Sequence, residues 1–357
     1  MHEFLAIQHS DKDPNLFALF REDHGLYIYN KQEGSEHLLA TLDNISDFTK
    51  PIAIYWHAPY ICVAEHRGRN AALVLDNSVA RKINSAAVRL LSREDYHAEN
   101  SSYSIGFVEL DGRTLLIHQT EWNRLDISDA ETGACLTERE ISYEEHKNYI
   151  DYFHSQLHIS PNGVNFISNG WVWQPADYLY CYNVKEFLES WDKARSSINY
   201  YSANWDRPCT FIDDDSFVIA TDQKNYEADG ADEEDYEILN GAKLAFYRMS
   251  DSEPTKRDWK YLPHYKLIHI DLFGGEEAYG KLYYDKQADM LIALGEAGVY
   301  AVTLDGEIKW HDPNIKGACQ NPVWMKYQKP SWQYSPEHRF FYNYDASGLA
   351  IVKLENL

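Results

Sequence analysis

The residues best suited to recognition are Trp171 and Trp173, set in the stretch Asn169-Gly170-Trp171-Val172-Trp173-Gln174-Pro175-Ala176-Asp177. On a β-strand, alternate side chains share a face, so both indoles project to the same side. Two readings stay open. The indoles pack between neighbouring sheets, with Pro175 ending the strand. Alternatively they reach a rim and form an aromatic platform for a sugar or peptide. On the second reading Trp171, Trp173, Gln174 and Asp177 are candidate binding residues, and the stretch from Asn169 to Asp177 is read as an enlarged turn.

A second concentration of chemistry is TDQKNYEADGADEEDYEILNGAK, Thr221 to Lys243, with eight carboxylates between Asp222 and Glu237. Three roles are open to it: a solvated, self-repelling loop; an acidic arm for a basic partner; or a calcium site. The spacing does not match an EF-hand, because Asp229-Gly230 lacks the following ligands and the terminal Glu. Asp229, Asp232, Glu233, Glu234 and Asp235 are the candidate binding residues of this run.

Catalytic signatures are missing. The chain has no GxSxG elbow, phosphate loop, HExxH helix or dinucleotide fingerprint. His154 and His158 lie four apart, which on a regular strand puts them on one face. Two histidines are not a metal site without further converging ligands. No catalytic residue, metal ligand or cofactor is therefore expected.

Composition narrows the partners. Acidic residues outnumber basic ones 56 to 33, for a formal charge of −23. Nucleic-acid binding depends on Lys and Arg neutralising phosphates, so nucleic acid is excluded, as is an anionic membrane surface. A basic protein partner suits such a field. No stretch approaches the apolar run of a membrane span, and the start, MHEFLAIQHSDKD, does not read as a secretory signal. Cys62, Cys135, Cys181, Cys209 and Cys319 are odd in number, far apart and without a CxxC pair. They read as reduced thiols of a cytoplasmic protein.

The elements that must position these residues are short β-rich runs separated by turns, which reads as all-β. They recur. The order strand, tight turn, strand, turn, strand appears seven times, with first turns near residues 12, 59, 111, 162, 214, 286 and 336. Ser160-Pro161-Asn162-Gly163 is one of these turns, and Ser335-Pro336 repeats it. The gaps are 47, 52, 51, 52, 72 and 50 residues, close to the period of propeller blades, and the long one holds the acidic run. The expected fold is a seven-bladed β-propeller of mostly four-stranded antiparallel blades, at about 2–43, 50–90, 102–140, 152–200, 207–270, 279–312 and 331–357 of a single domain. A short helix, EFLESWDKA, is expected after the third strand of blade four, with Phe187, Leu188 and Trp191 docking on the ring. His2 to Gln8 is preferred as the first strand of blade one over the fourth strand of blade seven.

Leu125-Asp126-Ile127-Ser128-Asp129, Glu131-Thr132-Gly133 and Ala134-Cys135-Leu136 resemble the third-to-fourth strand passage of WD40-type repeats. Ser160 to Gly163 resembles their first-to-second strand turn. Regular Gly-His and Trp-Asp dipeptides are absent, so the resemblance is to a degenerate, WD40-like bacterial propeller. Such propellers mostly serve as interaction platforms, and some are enzymes. The expected function is a non-catalytic, protein-binding propeller that sequesters a basic partner, as an immunity protein or antitoxin does, or acts as a scaffold. The alternative is a channel-mouth enzyme of lyase, lactonase or glycosidase type.

Overall fold

A computed structural model describes residues 4–47, 51–76, 87–140, 149–173, 176–191, 195–199, 206–221, 243–254, 260–273, 279–317, 331–345 and 348–354. They form a seven-bladed β-propeller of mostly four-stranded antiparallel sheets. Blade one is β1 (Phe4–His9), β2 (Leu16–Arg21), β3 (Gly25–Asn30) and β4 (Ser35–Thr41). Blade two is β5 (Ile52–His57), β6 (Tyr60–Glu65), β7 (Asn70–Leu75) and β8 (Ala87–Ser92). Blade three has β9 (Ile105–Leu110), β10 (Arg113–Glu121) and β11 (Arg124–Asp129).

Blade four begins with β12 (Phe153–Ile159), β13 (Asn165–Val172), β14 (Ala176–Asn183) and β15 (Arg195–Asn199). Blade five is β16 (Cys209–Phe211), β17 (Ser216–Ala220), β18 (Leu244–Arg248) and β21 (His264–Ile268). Between β18 and β21 the chain makes β19 (Glu253–Pro254) and β20 (Lys260–Tyr261), and β20 pairs in parallel with β15. Blade four is therefore a six-stranded sheet, larger than its repeat alone implies. Blade six is β22 (Lys281–Asp285), β23 (Met290–Gly295), β24 (Gly298–Thr303) and β25 (Ile308–Asp312). Blade seven holds β26 (Gln333–Ser335), β27 (Phe340–Asp345) and β28 (Gly348–Lys353).

The strand sequences explain their depth in each blade. Second strands are near-continuous apolar runs, such as YICVAE of β6 and MLIALG of β23, because neighbouring blades cover both of their faces. Every residue of β6 is buried. The fourth strands of blades one and two have a paired neighbour on one edge alone, and β4 (SEHLLAT) and β8 (AVRLLS) are largely exposed. Each fully buried Val, Leu, Ile or Phe of the inner strands contributes about 1.5–3 kcal/mol.

The repeated first turn has a mechanism. Ser160 Oγ accepts from Asn165 N at 3.0 Å, and Gly163 takes φ of 69°. A Cβ at Gly163 would also sit 3.2 Å from Val108 Cβ of the preceding blade. Asn162 donates from its backbone and its side chain to the Asp214 carboxylate, at 2.9 and 2.7 Å, and so ties this turn to the next blade's.

The WD40-like passage after β11 runs back along that strand without forming a regular fourth one. Asp129 Oδ1 accepts from Glu131 N, Thr132 N and Thr132 Oγ1, and Gly133 follows at φ 78°. Leu136 N then donates to Ile127 O. The helix is α1 (Val184–Glu189), capped by the Asn183 side chain accepting from Glu186 N. Phe187 and Trp191 are buried in the core shared by blades three and four, with Leu188 packed against it.

The N-terminal strand β1 pairs with β2, in blade one. Blade seven has three strands among the described residues, so side chains close the ring. Ile7, Phe17 and Leu19 pack on Phe340 and Tyr342. His9 N donates to Tyr342 Oη at 3.3 Å, and Gln333 Nε2 donates to Ile7 O at 3.0 Å.

Candidate functional site

Each blade is an up-and-down meander. Connections entering first strands and turns joining second to third strands therefore fall on one face of the ring. First-to-second turns fall on the other. On the former face, blades three and four build an aromatic cup of about 360 Å³, lined by Glu94, Tyr96, Trp122, Tyr149, Asp151 and Trp173. Glu94 and Tyr96 come from the linker into blade three, and Tyr149 and Asp151 from the linker into blade four. Trp122 sits in the two-residue β10–β11 turn, and Trp173 in the β13–β14 turn.

Phe153, fully buried at the start of β12, is the hub of the cup. Trp171 stacks on it with ring centroids 3.8 Å apart and planes 3° apart. Trp173 meets it edge-on at 5.2 Å, and Trp122 lies 4.5 Å away. Tyr96 stacks over it at 5.9 Å. Behind the wall, His97 is edge-on to Trp173 at 5.0 Å. Trp173 and Tyr96 remain 44% and 46% exposed, so the inner rings hold the outer ones open to solvent. Burial, then the Asp151 carboxylate, pushes the Tyr149 hydroxyl above its usual pKa, which keeps it a neutral donor. Electron-rich ring faces beside two carboxylates suit a cation.

The two indoles of the sequence motif thus divide their roles. Both lie on one side of the strand, but Trp171 is 2% exposed and belongs to the core, while Trp173 lines the cup. Asp177 is interior too: its carboxylate accepts from Arg207 Nε at 2.7 Å, with both side chains buried. Gln174 lies outside the described residues, as do Asp229, Asp232, Glu233, Glu234 and Asp235.

The turn itself is shorter than the reading from Asn169 to Asp177. Trp171 pairs with Asp177 and Val172 with Ala176, which leaves three residues between the strands. Gly170 looked like a turn glycine but is a strand residue. The Phe153 backbone approaches so closely that a Cβ there would lie 2.0 Å from its carbonyl oxygen. Sequence reasoning also missed Tyr96, Trp122 and Tyr149. One signal was available: a Trp in a two-residue hairpin turn has no strand face to pack on.

His154 and His158 part company as well. A register shift between Phe153 and Gln156 breaks the alternation. His154 is buried against Ser168 Oγ at 2.9 Å, while His158 borders the central channel. Among the described residues, no three His, Cys, Asp or Glu side chains converge as metal ligands.

A serine, a histidine and an aspartate do converge on this face. Asp206, at φ 60° in the linker into blade five, accepts from Ser155 Oγ (2.6 Å) and Gln156 N (3.2 Å) on Oδ1. On Oδ2 it accepts from Ser102 Oγ (2.7 Å) and Arg67 Nη2 (3.0 Å). His66 Nε2 lies 3.2 Å from Ser102 Oγ, and its Nδ1 is buried without a partner among the described residues. This is not a nucleophilic triad, in which the acid would hold the histidine and the histidine the serine. Here the serine proton points at the carboxylate. Burial pushes His66 down to about 4, so it is neutral at neutral pH. Burial would also raise the Asp206 pKa, but Arg67 and the two serine hydroxyls outweigh it and hold the acid below its usual range. The cluster is a bolt through blades two to five. Arg93 beside it donates to Gly68 O, Ala98 O, Ser101 O, Ser102 O and Gln119 Oε1.

No family model matches the chain, and no curated protein matches it in sequence. Solved structures do match in shape. The β-propeller domain of Myceliophteria thermophila Cps50 (Swd1) superposes with a TM-score of 0.57 at 8% identity, covering 99% of this chain and 98% of that one. Kuenenia stuttgartiensis hydrazine synthase superposes with a TM-score of 0.56 at 12% identity, covering 99% and 96%. One neighbour is an enzyme and the other a WD40 propeller, so the likeness reaches the fold and stops there. The chain is a seven-bladed β-propeller with a WD40 propeller among its structural neighbours.

Proposed function

We propose that the protein is a non-catalytic binding propeller that docks a basic protein segment on its cup-bearing face. The cup carries the reading: Tyr96, Trp122, Tyr149 and Trp173 present ring faces or edges beside Glu94 and Asp151. A Lys or Arg side chain there gains cation–π attraction and a carboxylate partner, worth about 0.5–2 kcal/mol for the ring contact. The formal charge of −23 raises the local concentration of such a segment at long range. Sequestration of a basic protein, in the manner of an immunity protein, and a scaffold role both use this chemistry. The enzyme alternative draws less support. A glycosidase needs two facing carboxylates, and none of the described residues lining the channel cavity is Asp or Glu.

The test is titration of the full chain with octa-arginine and octa-lysine, read by tryptophan fluorescence at low and high salt. Binding should weaken with salt, weaken in Trp173→Ala, and weaken further when Glu94→Gln and Asp151→Asn are added. Equal affinity in the wild type and the triple variant would show that net charge alone attracts the peptides, and would refute the cup as the docking site.

A further inference from the structure

The central channel holds a cavity of about 320 Å³, separate from the cup and bordered by the inner strands of blades one, four, five, six and seven. Its polar lining is Gln8, Gln156, His158, Thr210, Lys281 and Gln333, with tyrosine and aliphatic side chains between. No described lining residue is acidic, in a chain where acids outnumber bases 56 to 33.

Lys281, the first residue of β22, is the one cation of this lining. No carboxylate pairs with it among the described residues. It is half-buried, facing the cavity, and the surrounding ring lowers its pKa by desolvation. A partly desolvated ammonium is stabilised by an anionic partner. By contrast, the buried arginine heads of Arg207 and Arg93 have an acid or a ring of carbonyls. His158 repeats the pattern: its Nε2 is buried with no partner among the described residues, and burial lowers its pKa to about 4, so it is neutral. A neutral imidazole can present an N–H to an acceptor. The glutamines add amide donors, of which Gln333 Nε2 already spends one bond on Ile7 O and Gln8 Nε2 a long one on His9 O, as the Thr210 hydroxyl does on Phe211 O.

We infer that this cavity is a binding site for a small hydroxylated anion, a carboxylate or phosphate monoester. Lys281 supplies the counter-charge, His158 an N–H, and Gln8, Gln156 and Thr210 hydrogen bonds to hydroxyls. One anion of this class gives a partner at once to the Lys281 ammonium and to His158 Nε2. Its size fits: a six-carbon hydroxy acid is small against 320 Å³. The argument is independent of the cup, so neither reading stands or falls with the other.

Calorimetry and thermal denaturation of the full chain with gluconate and with inorganic phosphate, against sodium chloride at equal ionic strength, test it. Gluconate or phosphate should bind the wild type and raise its melting temperature where chloride does not. Lys281→Met should bind at least tenfold more weakly, and should melt higher than the wild type in the absence of anion, because a bare ammonium has been replaced by an apolar chain. Lys281→Arg should retain binding, and Trp173→Ala should leave it unchanged. Binding of gluconate alone points to a carboxylate, and of phosphate alone to a phosphate ester. Failure of both anions to bind at millimolar concentration overturns the inference. So does undiminished binding by Lys281→Met, or by Lys281→Gln should the methionine variant not fold.

Discussion

Asp206→Asn is the most exacting test of how this face is held together. Both oxygens of Asp206 act as acceptors only, two donors to each. An amide offers one acceptor oxygen and one NH₂. If the NH₂ replaces Oδ1 it faces the Gln156 backbone N–H; if it replaces Oδ2 it faces the Arg67 guanidinium. Serine hydroxyls can turn away, but neither of these N–H groups can. Every rotamer therefore sets a donor against a donor, and the buried Arg67 charge loses its counter-ion. Breaking a buried pair in this way costs about 3–5 kcal/mol. Ser102→Ala removes one bond to a charged group and should cost roughly 1.5–3 kcal/mol. The measurement is the urea midpoint by tryptophan fluorescence, with the slope checked for constancy. The pH dependence gives a second arm. The folded pKa of Asp206 is depressed, so its contribution is present above the unfolded value of 3.8 and is lost as pH falls through the folded one. Asp206→Asn should narrow its gap to the wild type in that acid range. A loss below about 1 kcal/mol at neutral pH, or a gap indifferent to acid, would refute the bolt: the four bonds would then be no better than bonds to water.

Four further outcomes are expected. Trp171→Ala should cost about 3–5 kcal/mol of stability, as its ring stacks on Phe153 in the interior; Trp173→Ala should change stability by no more than about 0.5 kcal/mol, because the side chain is half exposed. Asp177→Asn should destabilise by about 3–5 kcal/mol through the buried Arg207 charge, measured by the same unfolding curves. Tyr342→Phe, at the junction of blades seven and one, should cost about 1 kcal/mol, since it removes the hydroxyl that accepts from His9 N.

The architecture was legible because it is local. Strands of period two, a Ser-Pro-Asn-Gly turn that repeats as Ser335-Pro336, and a spacing near fifty residues each reside within one blade, and the radial packing that buries them is the same for every repeat. The helix at Val184–Glu189 and the place of Phe4–His9 in blade one followed from the same patterns. Where the reading slipped, a long-range contact overrode a local signal: Gly170 marks a close approach of Phe153 rather than a turn, and one extra residue before Gln156 turns His154 and His158 to different surroundings. The cup lay beyond the sequence, since Glu94, Trp122, Asp151 and Trp173 meet only because linkers and second turns of adjacent blades share a face. The same holds for the Asp206 bolt, whose four donors come from three other blades, and for Lys281, which meets no carboxylate among the described residues because of where the channel places it. The sequence determined which surfaces must be buried. Only ring closure decided which polar groups were left facing one another, because that depends on the register between blades.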